Sequence, residues 1–109
     1  MYKRQEEKAK EFGVRAPMVG HMGDGNFHVV LPYDPAKKEM YKQLRAFNSL
    51  LIRKALELEG TITGEHGVGL HKKEYLLEQH LDSIPVMKSI KRTLDPNNIM
   101  NPGKIFDLN

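Results

Sequence analysis

Two histidines flank a tight glycine turn in this chain. The run is Gly20-His21-Met22-Gly23-Asp24-Gly25-Asn26-Phe27-His28. On one straight strand His21 and His28 would lie about 23 Å apart, at about 3.3 Å per residue. Their odd spacing would also place them on opposite faces. A hairpin turning at Gly23 to Asn26 changes both facts. It makes the two histidines cross-strand neighbours, with Cβ atoms about 5 Å apart. Imidazoles that close can share a divalent ion, with bonds of about 2.0–2.1 Å. Two half-buried strand histidines would leave the same trace in the sequence, so the spacing alone leaves both readings open.

A second candidate follows at Gly64-Glu65-His66-Gly67-Val68-Gly69. Glycines let a backbone approach a ligand closely. On an extended loop, neighbouring side chains point apart. Glu65 is then expected to face a metal and His66 a substrate. Two histidines and a carboxylate with an open position suit a catalytic Zn²⁺ or a similar ion. A flexible turn with a solvated Glu-His pair is the plain alternative. Asp24 could hold a ligating imidazole by its ring N–H, and is more simply a turn residue. His71 and His80 have charged neighbours and read as solvated surface.

The elements that must position these groups can be read from pattern. Tyr2 to Phe12 reads as a helix stopped by Gly13. It starts at full charge, as though cut from a longer chain. Pro17 to His21 and Asn26 to Pro32 read as strands, the second with Phe27, Val29 and Leu31 alternating. Asp34 is expected to cap the next helix with Pro35 at its first position. That helix should run from about Lys37 to Glu59. Met40, Leu44, Phe47, Leu51, Ala55 and Leu58 form its buried stripe, and Gly60 ends it. Thr61 to Thr63 is short and β-branched and reads as a third strand. His71 to His80 reads as a short helix. A last helix, capped by Asp82 or Ser83, should carry Val86, Met87, Ile90 and Leu94 inward and stop at Asp95-Pro96. Met18, Met40, Met87 and Met100 read as core or near-core. The expected class is α+β: a partial ferredoxin-like unit, lacking its first strand, with an antiparallel sheet, helices on one face, and further C-terminal helices.

Composition sets bounds. The 109 residues suffice for one small domain. Cysteine is absent, which excludes disulfides and thiolate metal sites. There is no signal-type segment and no long apolar run, so a cytoplasmic location is expected. The net charge of +3 is spread among glutamates along helices, so nucleic-acid binding is not expected. A basic surface does leave room for peripheral contact with an anionic membrane. An open sheet edge suggests a homodimer.

The two glycine-rich runs, with the closing Leu94-Asp95-Pro96-Asn97-Asn98-Ile99-Met100-Asn101-Pro102-Gly103-Lys104, resemble a known family. They are similar to the C-terminal region of FAD-linked oxidases of the vanillyl-alcohol-oxidase superfamily. The nearest branch contains D-lactate dehydrogenase, the glycolate oxidase D-subunit and D-2-hydroxyglutarate dehydrogenase. The resemblance covers nearly the whole chain. It implies that His21, His28 and Glu65 hold a divalent metal, Zn or Mn, and that His66 is the base. It implies a small 2-hydroxy acid as substrate and hydride transfer from its C2 to FAD. The flavin would be bound by a flavin-binding domain outside residues 1–109, with Asn101 as a candidate contact on its side. Acting alone, the chain is expected to be inactive. The rival expectation is a free-standing metal-binding or interaction module without redox activity.

Overall fold

The computed structural model describes residues 2–108. The chain divides into two compact units, Met1–Leu58 and Glu59–Asn109. The first contains helix α1 (Tyr2–Glu11), strands β1 (Met18–His21) and β2 (Asn26–Val29), and helix α2 (Lys38–Glu57). The second contains α3 (Lys73–His80) and α4 (Ile84–Leu94), joined by a 3-10 turn over Leu81–Ser83. The class is α+β.

In the first unit, α1 stops where Gly13 takes a left-handed backbone, φ +62°. Gly13 N–H donates to Lys10 O at 3.0 Å and Val14 N–H to Ala9 O at 2.9 Å. These two bonds form a Schellman ending, which satisfies carbonyls that the helix would otherwise leave open. Val14 then folds back onto Ala9, Phe47 and Leu51, the buried cluster of this unit. Phe12 packs on Phe47 with ring centroids 5.8 Å apart. Val29 and Leu31 pack against the same cluster, so the hairpin is seated on the two helices.

Helix α2 begins at Lys38, close to the expected Lys37. Asp34 does not cap it. Its Oδ1 accepts from Ala36 N–H at 3.0 Å, and its carbonyl accepts from Lys37 N–H at 2.9 Å. Asp34 therefore builds a separate turn, and Lys37 stands at the helix start with no side-chain cap. Leu44, Phe47 and Leu51 are buried as expected, but Leu58 is exposed, because the helix ends at Glu57 and Leu58 has left the stripe. The left-handed residue that follows is Glu59, φ 60°, rather than Gly60.

The second unit departs further from expectation. Thr61 to Thr63 forms no strand. Instead the Gln79 side chain accepts from Ile62 N–H and from Thr61 Oγ1, both at 3.2 Å. With its backbone N–H satisfied by a side chain, Ile62 is buried without a sheet neighbour. On α4 only Ile84 is buried. Val86, Ile90 and Leu94, expected inward, are 61%, 56% and 76% exposed, and Met100 is exposed as well. Apolar periodicity marks a face here that, apart from Met87, stays open to solvent. Met18, Met40 and Met87 are partly buried.

After α4 the chain is knotted by one buried carboxylate. Asp95 accepts from Lys91 Nζ at 2.5 Å, from Ile99 N–H at 2.9 Å and from Met100 N–H at 2.8 Å. The Lys91 hydrogen bond, then that from Ile99, holds the Asp95 carboxyl below its ordinary range, although burial acts the other way.

Candidate functional site

Strands β1 and β2 are antiparallel, pairing Met18 with Val29, Val19 with His28, Gly20 with Phe27 and His21 with Asn26. The two histidines are therefore not directly opposite, as the glycine turn alone suggested. They are diagonal neighbours. His28 lies two residues beyond Asn26, the partner of His21, so both imidazoles still share one face. The offset comes from the connection: a 3-10 turn over Met22–Asp24 is followed by Gly25 at φ +69°. The pairing closes the loop over residues 22–25, one residue earlier than a turn over Gly23 to Asn26, so the partner of His21 moves by two residues.

The rings come close despite the offset. Their centroids are 6.3 Å apart and their planes nearly perpendicular, at 84°. One ring nitrogen of each lies within 4.8 Å of the other. A tetrahedral ion with bonds of about 2.0–2.1 Å needs its donors roughly 3.4 Å apart. His21 is exposed and His28 half-buried, so rotation of the His21 ring can supply that closure. Asp24 is an exposed residue of the turn.

Gly20 is what lets the strands approach. A Cβ there would lie 2.5 Å from both Asn26 O and Phe27 Cα. The sequence draws attention to the turn glycines, yet this strand glycine has the tighter constraint. A lone glycine inside a strand pattern is the signal for such a close approach.

In the second unit, Glu65 and His66 occupy a turn, not an extended loop. Their side chains consequently do not diverge. His66 Nε2 lies 3.4 Å from Glu65 Oε1, and both residues are exposed. The loop is bonded at several points. Thr63 Oγ1 donates to Gly67 O at 2.9 Å, and Lys72 Nζ donates to Thr63 Oγ1 at 3.0 Å. Gly67 and Gly69 are left-handed, φ +70° and +54°. Gly69 O accepts from Ile105 N–H at 2.8 Å, which ties the tail to the loop. Burial pushes the Lys72 amine below its ordinary pKa. No periodicity in the sequence points to Thr63, Lys72 or Ile105. Asn101 stands in an exposed turn at φ 48°, its carbonyl accepting from Lys104 N–H at 3.3 Å. His71 and His80 are exposed.

The structure thus brings His21 to His28, and Glu65 to His66, each pair inside its own unit. Residues 1–105 match the family described as FAD linked oxidases, C-terminal domain. The chain belongs to that family. This C-terminal domain is also similar to individual relatives. It is 40% identical over 104 residues to the D-lactate dehydrogenase [cytochrome], mitochondrial, of Arabidopsis thaliana, covering 94% of this chain and 18% of that protein. It is 39% identical over 107 residues to the glycolate oxidase subunit GlcD of Bacillus subtilis, covering 97% and 23%. It is 40% identical over 90 residues to the D-2-hydroxyglutarate dehydrogenase of Stutzerimonas stutzeri, covering 80% and 19%. The chain spans about a fifth of the length of the curated relatives it matches. Among its described residues, no helix is long and apolar enough to cross a membrane.

The family's description implies FAD. Among the described residues, no glycine loop joins a strand to a helix as in the doubly wound dinucleotide cradle. Gly64, Gly67 and Gly69 follow no strand. The donor set does fit a divalent metal, since imidazole and carboxylate suit Zn or Mn and no thiolate competes.

Proposed function

We propose that this domain is the C-terminal part of an FAD-dependent 2-hydroxyacid dehydrogenase of D-lactate or glycolate type, and that it provides the metal-binding and acid–base groups. The observation that carries the proposal is the His21–His28 pair on one face of the hairpin, rings 6.3 Å apart. Glu65 is the proposed third ligand. A divalent ion bound there would supply Lewis acidity that lowers the pKa of a substrate hydroxyl, as it does for bound water. Removing a hydroxyl proton from a 2-hydroxy acid is difficult at neutral pH, so that acidity is what the chemistry lacks in water.

His66 is the proposed base. Its Nε2 faces Glu65 Oε1 at 3.4 Å. In this reading the contact steadies the imidazole, and Nδ1 is the nitrogen left to take the substrate's hydroxyl proton. FAD is proposed to be held by a flavin-binding domain outside residues 1–109, with Asn101 as a contact on that side. Pairing of two copies through the hairpin edges is a further proposal. It is supported by a sheet that, among the described residues, has two strands.

Elemental analysis of the chain dialysed against Zn²⁺ or Mn²⁺ tests the metal reading. About one ion per chain is expected, and His21→Ala with His28→Ala should abolish it. Metal retained by the double variant would refute the ligand assignment.

A further inference from the structure

The proposed chemistry makes no use of a polar clamp in the loop before α3. Thr63 Oγ1 donates to Gly67 O at 2.9 Å and so closes a ring around Gly64, Glu65 and His66. Lys72 Nζ donates to the same hydroxyl oxygen at 3.0 Å. A hydroxyl has one hydrogen and an ammonium has only donors. Lys72 therefore occupies the acceptor side of Thr63 and leaves its hydrogen for the Gly67 carbonyl. Lys72 N–H bonds Val68 O at 3.3 Å and closes the loop from the other end. Thr63 and Lys72 are half-buried, while Glu65 and His66 are exposed. The Lys72–Thr63 bond is thus partly screened from water, while the Thr63–Gly67 bond and the groups it encloses are open to solvent.

We propose that Thr63 and Lys72 are positioning residues that hold the Thr63–Gly67 turn in the form that presents Glu65 and His66 as a pair. This rests on the metal reading and deepens it. An exposed carboxylate on a mobile loop must be ordered each time it binds an ion, and that ordering opposes binding. A loop already closed by side-chain bonds avoids most of the cost. The half-burial of Lys72 agrees with this role: its amine has lost water and gained the Thr63 hydroxyl.

The test uses Zn²⁺ alone, titrated into the chain against a chelating indicator, with three variants. Thr63→Val keeps the shape and removes the hydroxyl. Lys72→Met keeps the length and removes the ammonium. Thr63→Ser restores the hydroxyl and serves as the rescue. Thr63→Val and Lys72→Met should weaken Zn²⁺ binding roughly 10–100-fold, the usual effect of losing a group that orients a ligand. Thr63→Ser should bind as the unaltered chain does. Hydrogen exchange in the metal-free proteins should quicken at residues 64–67 in the first two variants and stay unchanged in α2 and α4, which shows that the variants are folded. Wild-type Zn²⁺ affinity in Thr63→Val would overturn the clamp and leave the metal reading standing. An equal loss in Thr63→Ser would also overturn it, since the hydroxyl would not be the cause. Absence of Zn²⁺ binding by the unaltered chain would overturn the metal reading and the positioning role with it.

Discussion

The hairpin and the Glu65–His66 loop position their groups by different physics. In the hairpin, backbone pairing sets the geometry: register decides which residues share a face, and the packed cluster beneath fixes the hairpin in place. In the loop no ladder exists. Position there depends on left-handed glycines and on bonds from Thr63, Lys72 and Ile105. A ladder is cooperative, so damage to its support should be felt by both histidines together. Side-chain bonds are separate, so each can be removed with a local effect.

The largest expected effect lies beneath the hairpin. Phe47 is fully buried, and Phe47→Ala should cost about 3–5 kcal/mol through lost contacts and the cavity left behind. Urea denaturation measures it. A cost below about 1 kcal/mol would mean that this cluster does not support the sheet. Gly20→Ala comes next. The added methyl meets Asn26 O and Phe27 Cα at 2.5 Å, so the strands must separate, at about 1–3 kcal/mol. The same variant should weaken metal binding while hydrogen exchange over residues 64–67 stays as it was. If the loop responds too, the two regions are not independent.

Gln5 offers a smaller change of opposite sign. It is buried on α1, and among the described residues nothing pairs with its amide. Gln5→Leu should therefore stabilise the chain by about 1 kcal/mol, as a buried unsatisfied polar group is replaced by an apolar one. A lower melting temperature would show that the amide has a role.

The smallest effect is in the tail that is tied to the loop. The Asp95 carboxyl is held below its ordinary pKa by Lys91 and by the Ile99 and Met100 N–H groups. A depressed folded pKa means that the unfolded chain binds the proton first as pH falls. The stabilisation is complete above the unfolded carboxylate value, near 3.9, and is lost as pH falls through the lower folded value. Asp95→Asn should flatten that acid limb in a melting series from neutral pH downward. An unchanged limb would remove Asp95 from the account.

How much of this was legible in the sequence follows the same division. The glycine turn announced a hairpin, and the alternation after it announced the strand. The two-residue offset of His21 from His28 was not legible, because it depends on the turn taking 3-10 form before Gly25. The α2 stripe was read correctly at Leu44, Phe47 and Leu51, since periodicity reports burial wherever a neighbour exists. It failed on α4 for the converse reason: a periodic face states what would be buried, not that this chain has the surface to bury it. Thr61 to Thr63 had strand-like composition but only three residues, and Gln79 satisfied Ile62 first. The Thr63–Lys72 clamp joins residues nine apart through side chains, and such bonds leave no period to find.

The bare side of α4 has a practical bearing on handling. Val86, Ile90 and Leu94 line up at intervals of four and keep three aliphatic groups against water. Sulfate and similar excluded salts strengthen attraction between such groups, and cooling weakens it. Solubility should therefore fall steeply with added sulfate and recover in the cold.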